Sequence, residues 1–196
     1  MDINSTSAVI FDLDGTLTEP ALDFDAIRAE IGGVTGPILE AMARMTPHER
    51  ARAEAILVER ERQAAERAVL YEGAIELLPA LRERGFRTAI LTRNTRATVN
   101  RILERFDLDV DAVRTREDGA IKPSAEPVRS ICNQLRTDAR CSWMVGDYLF
   151  DILSGKAAGT KTVLMIGDGR EPPFAGQADF VIRRLRELLP IVGLPG

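Results

Sequence analysis

The chain has 196 residues, which is enough for one domain of ordinary size with a small insert. Apolar residues make up 45% of it and charged residues 29%, a balance typical of a globular protein with its own core. The net charge of -4 argues against nucleic-acid binding, and the lack of a run of about 20 apolar residues argues against a membrane span.

Residues 8–18 begin as an apolar run and then turn acidic. The run at 8–11 is typical of a buried strand. Asp12 and Asp14 follow it two residues apart, so both carboxylates lie on one side if the strand continues. Gly15 then permits a sharp turn. A hard divalent cation such as Mg²⁺ would relieve the repulsion between two close carboxylates, which favours a metal site. The alternative is a simple turn, since Asp-Gly after a strand is a common turn signal.

Helical spacing follows the acidic stretch. Residues 22–31 and 37–45 are predicted to be helices, with Asp23 as the N-cap of the first. Thr46 and Glu49 form the pattern of a capping box, which predicts a long helix to about residue 70. Acidic and basic residues alternate along that helix, which favours a solvated, salt-bridged face over a surface for polyanions.

Helix and strand patterns alternate from residue 73 onward. Such alternation predicts right-handed crossovers and a parallel sheet. The predicted strands are 86–91, 112–114, 141–145, 160–166 and 180–182, and the predicted helices are 73–84, 95–106, 124–135, 148–158 and 183–192. Ligands bind at the carboxyl ends of such strands. Because Asp12, Thr92 and Asp147 each follow an apolar run, we expect all three at that edge.

Thr92, Arg93 and Asn94 end the second predicted strand. The Thr92 hydroxyl and the backbone N–H groups behind it could hold phosphate oxygens at a helix start. Thr92 could equally be a simple cap for the next helix. Arg93 is a candidate partner for phosphate or a surface residue.

Lys122 stands before a proline and a predicted helix. Taken alone it fits a surface lysine as well as a cation for an anionic substrate. Asp147 and Asp151 lie four residues apart at another strand end, where a second acidic pair would suit a metal site. Carboxylates at a helix start also favour the helix dipole, so the pair alone leaves both interpretations open.

Residues 11–17, Phe-Asp-Leu-Asp-Gly-Thr-Leu, resemble the first motif of the haloacid-dehalogenase-like (HAD) hydrolases. Thr92, the Lys122-Pro123 pair, and Gly146-Asp147 with Asp151 resemble the second, third and fourth motifs in family order. The resemblance implies an α/β fold, a Rossmann-like parallel sheet with helices on both faces and a small helical cap insert. It implies a catalytic core at 1–18 and 73–196 and a cap at 19–72.

The resemblance also implies a Mg²⁺-dependent phosphatase of the phosphoglycolate-phosphatase type, acting on a small phosphorylated metabolite. Asp12 would be the nucleophile and Asp14 the acid–base residue. Thr92 and Lys122 would hold the phosphoryl oxygens, with Arg93 and Asn94 as further phosphate contacts. The implied metal residues are Asp12, Asp14 through its backbone carbonyl, Asp147, and Asp151 in support.

Two other functions stay open at this point. A phosphomutase of the same family would return the phosphoryl group to substrate, and a phospho-receiver signalling module would hold it without turnover. Dehalogenase activity is disfavoured because haloacid cleavage uses no aspartate at the position of Asp14. The first seven residues lack the basic and apolar regions of a signal peptide, and Cys132 and Cys141 are isolated, so we expect a reducing cytoplasm. The sequence specifies neither the substrate nor the oligomeric state.

Overall fold

The computed structural model describes residues 7–193, which form two compact units. The larger unit comprises the described residues up to Pro20 and from Val69 onward, and the smaller unit is Ala21–Ala68. Residues 1–6 and 194–196 lie outside the described part. The prediction that the first seven residues form no signal peptide therefore falls almost entirely outside it. Among the described residues, no helix combines the length and the apolar character that crossing a membrane requires.

The larger unit contains a parallel sheet. Its strands are β1 (Ala8–Phe11), β2 (Arg87–Leu91), β3 (Ala112–Arg114), β4 (Trp143–Gly146), β5 (Lys161–Met165) and β6 (Phe180–Ile182). All neighbours pair in parallel, in the order β3-β2-β1-β4-β5-β6, which confirms the predicted α/β class. The order reverses between β1 and β4, so a crevice opens outside the carboxyl ends of these two strands.

Eight α-helices lie in the described part of the chain. They are α1 (Phe24–Ile31), α2 (Ile38–Met42), α3 (Pro47–Arg67), α4 (Ala74–Glu83), α5 (Arg96–Phe106), α6 (Glu126–Leu135), α7 (Leu149–Ala158) and α8 (Leu188–Ile191). In the larger unit, α6 contacts β1, β2 and β3, and α7 contacts β4 and β5. Val9 and Ile10 point to opposite faces of β1 and both are fully buried, so both faces of the sheet are covered.

The predicted helix at 183–192 is wrong in its extent. Leu185–Glu187 forms a 3₁₀ turn, and only α8 behind it is α-helical. Pro190 lacks the N–H that an α-helix through this segment would need. Gly193 follows with a φ of 86°, where a glycine ends a helix readily.

The smaller unit is a helical insert with its own core. The buried residues of α1, α2 and α3 in that core are Ile27, Ile38, Met42, Ala53 and Leu57. The capping box at Thr46 is present, since Glu49 Oε2 accepts the Thr46 N–H at 2.9 Å. Arg62 pairs with both Glu59 and Glu66, as the alternating charges of this helix predict. That the insert acts as a cap stays a prediction.

Both ends of the insert leave the larger unit at one paired stem. The Glu19 N–H donates to the Val69 carbonyl at 2.8 Å, and the Tyr71 N–H donates to the Leu17 carbonyl at 3.0 Å. Thr18 and Leu70 form an antiparallel bridge between these bonds. The stem therefore ties the segment that follows Asp14 to the return of the chain into the sheet.

Candidate active site

Asp12 follows β1 directly, and its backbone is held by β4. The Asp12 N–H donates to the Val145 carbonyl at 2.8 Å. The Leu13 carbonyl then accepts the N–H groups of Leu17 and Thr18 at 2.9 and 3.0 Å, which closes a tight turn behind the acidic pair. This turn fixes the start of the crevice between β1 and β4.

Three carboxylates converge in this crevice. Asp12, Asp147 and Asp151 offer oxygens that all lie within 4.8 Å of one another. Asp147 follows β4 directly, and Asp151 lies in the first turn of α7. The spacing brings the three groups within reach of a single cation, and carboxylate oxygens are ligands that Mg²⁺ favours. The residues present therefore fit a divalent metal ion.

Lys122 lies among these carboxylates and is 2% exposed. Its Nζ is 2.8 Å from Asp12 Oδ1 and 2.6 Å from Asp151 Oδ1. It also donates to the Leu91 carbonyl at 2.9 Å, so the ammonium is held by one hydrogen bond and two ion pairs. The interpretation of Lys122 as a surface residue is wrong.

Asp151 also accepts the Tyr148 N–H at 3.0 Å through Oδ2. It therefore serves the start of α7 and the ion pair with Lys122 at the same time. The helix-start role of Asp151 does not exclude a metal site here, because the Tyr148 N–H engages only Oδ2 and Oδ1 faces Lys122 in the crevice.

The side chain of Asp14 lies outside the group of three. Asn94 Nδ2 donates to Asp14 Oδ2 at 2.5 Å. The Thr18 hydroxyl is 3.3 Å from Asp14 Oδ1 and 3.3 Å from the Leu13 carbonyl, and its single proton is shared between them. Both oxygens of Asp14 are thus contacted by neutral donors, whereas Asp12 faces an ammonium.

Thr92, Arg93 and Asn94 are placed by the loop after β2. Thr92 Oγ1 accepts the Asn94 N–H at 3.2 Å, while Thr95 accepts the Thr98 N–H and caps α5. The alternative in which Thr92 caps this helix is therefore wrong. The Arg93 guanidinium carbon lies 4.8 Å from the centre of the Phe150 ring.

Comparison with known proteins decides the family. The family model for haloacid dehalogenase-like hydrolases matches residues 21–165, about three quarters of the chain. The chain is 32% identical over 217 aligned positions to the pyrophosphatase PpaX of Halalkalibacterium halodurans, and the match covers 99% of each protein. The chain belongs to the haloacid dehalogenase-like hydrolases.

Solved structures match the fold of this hydrolase. A hydrolase from Pseudomonas syringae superposes with a TM-score of 0.81 at 19% identity, covering 94% of this chain and 97% of the other. A predicted phosphoglycolate phosphatase from Haemophilus somnus superposes with a TM-score of 0.76 at 20% identity, covering 96% and 99%. These likenesses extend over the sheet and the helices around it.

In the acidic cluster of this haloacid dehalogenase-like hydrolase, the pKa values of Asp147 and Asp151 are raised. Burial raises the pKa of Asp147 well above its usual range, and the charges of Asp12 and Asp151 add to the shift. Burial also raises the pKa of Asp151 to about 6, against the opposing charge of Lys122. A bound cation would reverse these shifts by stabilising the ionised carboxylates, which agrees with the fit to a metal ion.

The pKa values of Lys122 and Asp14 are both raised, but for different reasons. Burial disfavours the ammonium of Lys122, but the charges of Asp12 and Asp151 outweigh burial and raise its pKa, so it is charged. Burial raises the pKa of Asp14, the hydrogen bond from Asn94 opposes this, and the charge of Asp12 adds to it. A carboxyl group that keeps its proton more readily than usual suits an acid in catalysis.

Two residues contribute to the site in ways that the motifs did not reveal. Thr18 contacts Asp14 from the stem, and Phe150 supports Arg93 from the start of α7. Thr18 lies four residues after Asp14, and Phe150 directly precedes Asp151. Neither position carries a local signal, because both contacts depend on how the loops fold back on the sheet edge.

Proposed function

We propose that this hydrolase is a Mg²⁺-dependent phosphatase that hydrolyses a small phosphomonoester through an aspartyl-phosphate on Asp12. The observation that carries the proposal is the convergence of Asp12, Asp147 and Asp151, two of which pair with the buried ammonium of Lys122, with Asp14 held beside them by neutral donors. A phosphoryl group bound here would meet a nucleophile, a cation and an acid in one crevice.

Asp12, Asp147 and Asp151 would hold the metal ion, together with the backbone carbonyl of Asp14. When bound, Mg²⁺ neutralises charge on the phosphoryl oxygens and on the carboxylates around it. Gly15 supports this assignment because a Cβ at this position would overlap the Asp147 carboxylate, so the turn leaves space for that group.

The chemistry uses two carboxylates in turn. An Asp12 oxygen attacks phosphorus while the bond from phosphorus to the leaving oxygen breaks, and Asp14 gives its proton to that oxygen. Asp14 then takes a proton from water, whose oxygen attacks phosphorus and releases Asp12. The raised pKa of Asp14 supports the first of these roles, because an acid must hold its proton until it is needed.

Lys122 and Thr92 would hold the phosphoryl group. The Thr92 oxygen accepts the Asn94 N–H, which leaves its own hydroxyl proton to donate to a phosphoryl oxygen. The Lys122 ammonium already contacts Asp12, so it would stabilise negative charge that develops beside the nucleophile. We assign Arg93 to a supporting phosphate contact, because its guanidinium lies over the Phe150 ring at the same edge of the sheet.

Small phosphorylated metabolites are the substrate class that we propose. One similar protein is named as a pyrophosphatase and another as a predicted phosphoglycolate phosphatase. Pyrophosphate and phosphoglycolate therefore belong in a first panel of test substrates. A phosphomutase remains the second candidate, since it would form the same aspartyl-phosphate and differ only in the acceptor.

The test compares two substitutions of the acidic pair with Asp109→Asn, which alters an aspartate whose side chain is 80% exposed. Asp12→Asn should abolish both phosphoenzyme formation and turnover. Asp14→Asn should still be phosphorylated by an aryl phosphate, whose leaving group needs no proton, and should hydrolyse the phosphoenzyme about 10²–10⁴-fold more slowly. The measurement is phosphoenzyme trapped by acid quench, alongside phosphate release in Mg²⁺ and in chelator.

Near-normal turnover of Asp12→Asn, or full activity after metal removal, would contradict the proposal. Transfer of the phosphoryl group to a second sugar hydroxyl in preference to water would favour the mutase. Asp109→Asn should behave as the unchanged protein throughout.

A further inference from the structure

Asp14 is held by a side chain from another strand end. Asn94 Nδ2 donates to Asp14 Oδ2 at 2.5 Å, across 80 residues of sequence. The amide nitrogen of Asn94, rather than its oxygen, faces Asp14, so Oδ2 acts as an acceptor, as it can in the ionised group and as the carbonyl oxygen of the protonated one. Asn94 is only 5% exposed, so little water competes for this contact.

Asn94 is itself fixed by its backbone. Its N–H donates to Thr92 Oγ1 at 3.2 Å, and its carbonyl accepts the Arg116 N–H at 3.3 Å. The next residue, Thr95, is the N-cap of α5. The side chain of Asn94 therefore projects from a short loop that is anchored on both sides.

The contact distinguishes the two oxygens of Asp14. A protonated carboxyl group has one carbonyl oxygen, which is an acceptor, and one hydroxyl oxygen, which carries the proton. The short bond from Asn94 makes Oδ2 the carbonyl oxygen and leaves the proton on Oδ1. Thr18 is 3.3 Å from Oδ1 and shares its own proton with the Leu13 carbonyl, so it competes weakly for this oxygen.

We infer that Asn94 is a positioning residue for Asp14. By engaging Oδ2, it turns Oδ1 toward the reacting group, where Oδ1 gives its proton to the leaving oxygen and later takes one from water. Asn94 forms no bond to the substrate. The inference rests on the proposed function, and it assigns Asn94 a role different from the phosphate binding expected from the sequence, because one of the two amide N–H groups of Asn94 is already committed to Asp14.

The test uses Asn94→Ala and Asn94→Ser, with Asn100→Ala as the matched control on an exposed position of α5. Two substrates are compared: glycerol phosphate, whose leaving oxygen needs a proton, and 4-nitrophenyl phosphate, whose leaving group does not. Asn94→Ala should lower kcat for glycerol phosphate by about 10²-fold, as expected for a misplaced reacting group. KM and inhibition by inorganic phosphate should stay unchanged.

Phosphoenzyme formation from 4-nitrophenyl phosphate should stay near normal in Asn94→Ala, while the following hydrolysis slows. In the Asp14→Asn background, Asn94→Ala should cause no further loss, because it acts through Asp14. A raised KM for both substrates, weaker inhibition by phosphate and an additive loss with Asp14→Asn would make Asn94 a phosphate-binding residue and overturn the inference.

The remaining outcomes are also decisive. If both Asn94 variants unfold while Asn100→Ala stays folded, Asn94 is a structural residue and the inference fails. If the unchanged protein forms a phosphoenzyme and Asn94→Ala behaves as Asn100→Ala, only the role of Asn94 is refuted. If the unchanged protein forms no phosphoenzyme, the proposed function itself fails.

Discussion

Gly15 and Gly146 leave room for the carboxylates that face them. A Cβ on Gly15 would overlap the Asp147 side chain, and one on Gly146 would overlap the Asp151 side chain. Gly15 also has a φ of 77°, where other residues are strained. Each of these two glycines thus makes room for an aspartate rather than only turning the chain.

The crowding of these carboxylates predicts an unusual pH dependence of stability without metal. The pKa of Asp151 rises from 3.8 to about 6 in the folded protein. Folding then favours the protonated form, so the ionised carboxylate destabilises the fold at pH 7.5 and this cost is relieved as the pH falls through 6. In chelator, the free energy of unfolding should increase by on the order of 1 kcal/mol between pH 7.5 and 5.5.

Urea unfolding in chelator at several pH values between 7.5 and 5.5 measures this effect. Asp151→Asn should flatten the trend, and added Mg²⁺ should stabilise the protein more at pH 7.5 than at 5.5, because metal and proton compete for the carboxylates. Aspartates with lowered pKa, such as Asp111, titrate below 3.8 and leave this range untouched. If the free energy of unfolding stays constant or falls toward pH 5.5, ionisation of the carboxylate cluster does not destabilise the fold.

At the scale of elements, the two outer strand pairs of the sheet, β2/β3 and β5/β6, share one hydrogen-bonding arrangement. Asp111, just before β3, accepts the Thr88 N–H of β2 at 2.8 Å. Asp179, just before β6, accepts the Thr162 N–H of β5 at the same distance. Each carboxylate thus binds the start of the neighbouring inner strand, which fixes the register of each outer strand. Strand ends that are fixed at one edge place the site residues reproducibly at the other.

This arrangement predicts a loss of stability without a loss of chemistry. Asp111 has a side chain that is 15% exposed, and Asp111→Ala leaves a buried N–H without its charged acceptor. The free energy of unfolding should fall by about 1–3 kcal/mol at pH 6. Activity per folded molecule should be unchanged, whereas Asp109→Ala, at the exposed neighbour, should have little effect.

The pH dependence of that loss has a defined sign. Burial alone would raise the pKa of Asp111, but the hydrogen bond from Thr88 and the charge of Arg87 outweigh burial and lower it. Its contribution is therefore present above pH 3.8 and disappears as the pH falls through the folded pKa. The gap in unfolding free energy between Asp111→Ala and the unchanged protein should narrow as the pH is lowered below 3.8. A gap that stays constant would assign the loss to packing.

Local patterns predicted the elements that depend on local forces. Strand β1 and the capping box at Thr46 are each determined by a few neighbouring residues, and both are present. The strand order was not readable, but parallel alternation sufficed to place Asp12, Thr92 and Asp147 at one sheet edge. The contact between Asn94 and Asp14 was not predictable, because it spans 80 residues and depends on loop geometry.

At the scale of the whole molecule, the stem decides how separable the insert is. Leu17 and Glu19 pair with Tyr71 and Val69 inside the larger unit, so the chain returns to the sheet without help from Ala21–Ala68. The insert also has a separate apolar core. We therefore expect that a short Gly/Ser loop can replace Ala21–Ala68 and that the remaining core folds and binds Mg²⁺.

The loop variant tests whether the insert is a cap. A cap excludes water and positions the leaving group, so its loss should reduce kcat/KM most for a small natural-type substrate such as phosphoglycolate. Activity on 4-nitrophenyl phosphate should survive better, since that substrate needs less positioning and no proton on its leaving group. Discrimination among small phosphoesters should also fall.

The measurement is kcat/KM for both substrates in the loop variant, with Mg²⁺-induced stabilisation as the check that the core is intact. A matched variant, Arg62→Ala, removes two exposed ion pairs on α3 and should leave both values unchanged. Equal and small losses on both substrates would mean that the insert serves packing or assembly and that specificity resides in the core. A much larger loss for phosphoglycolate would assign substrate specificity to residues of Ala21–Ala68, a segment that contains none of the four motifs.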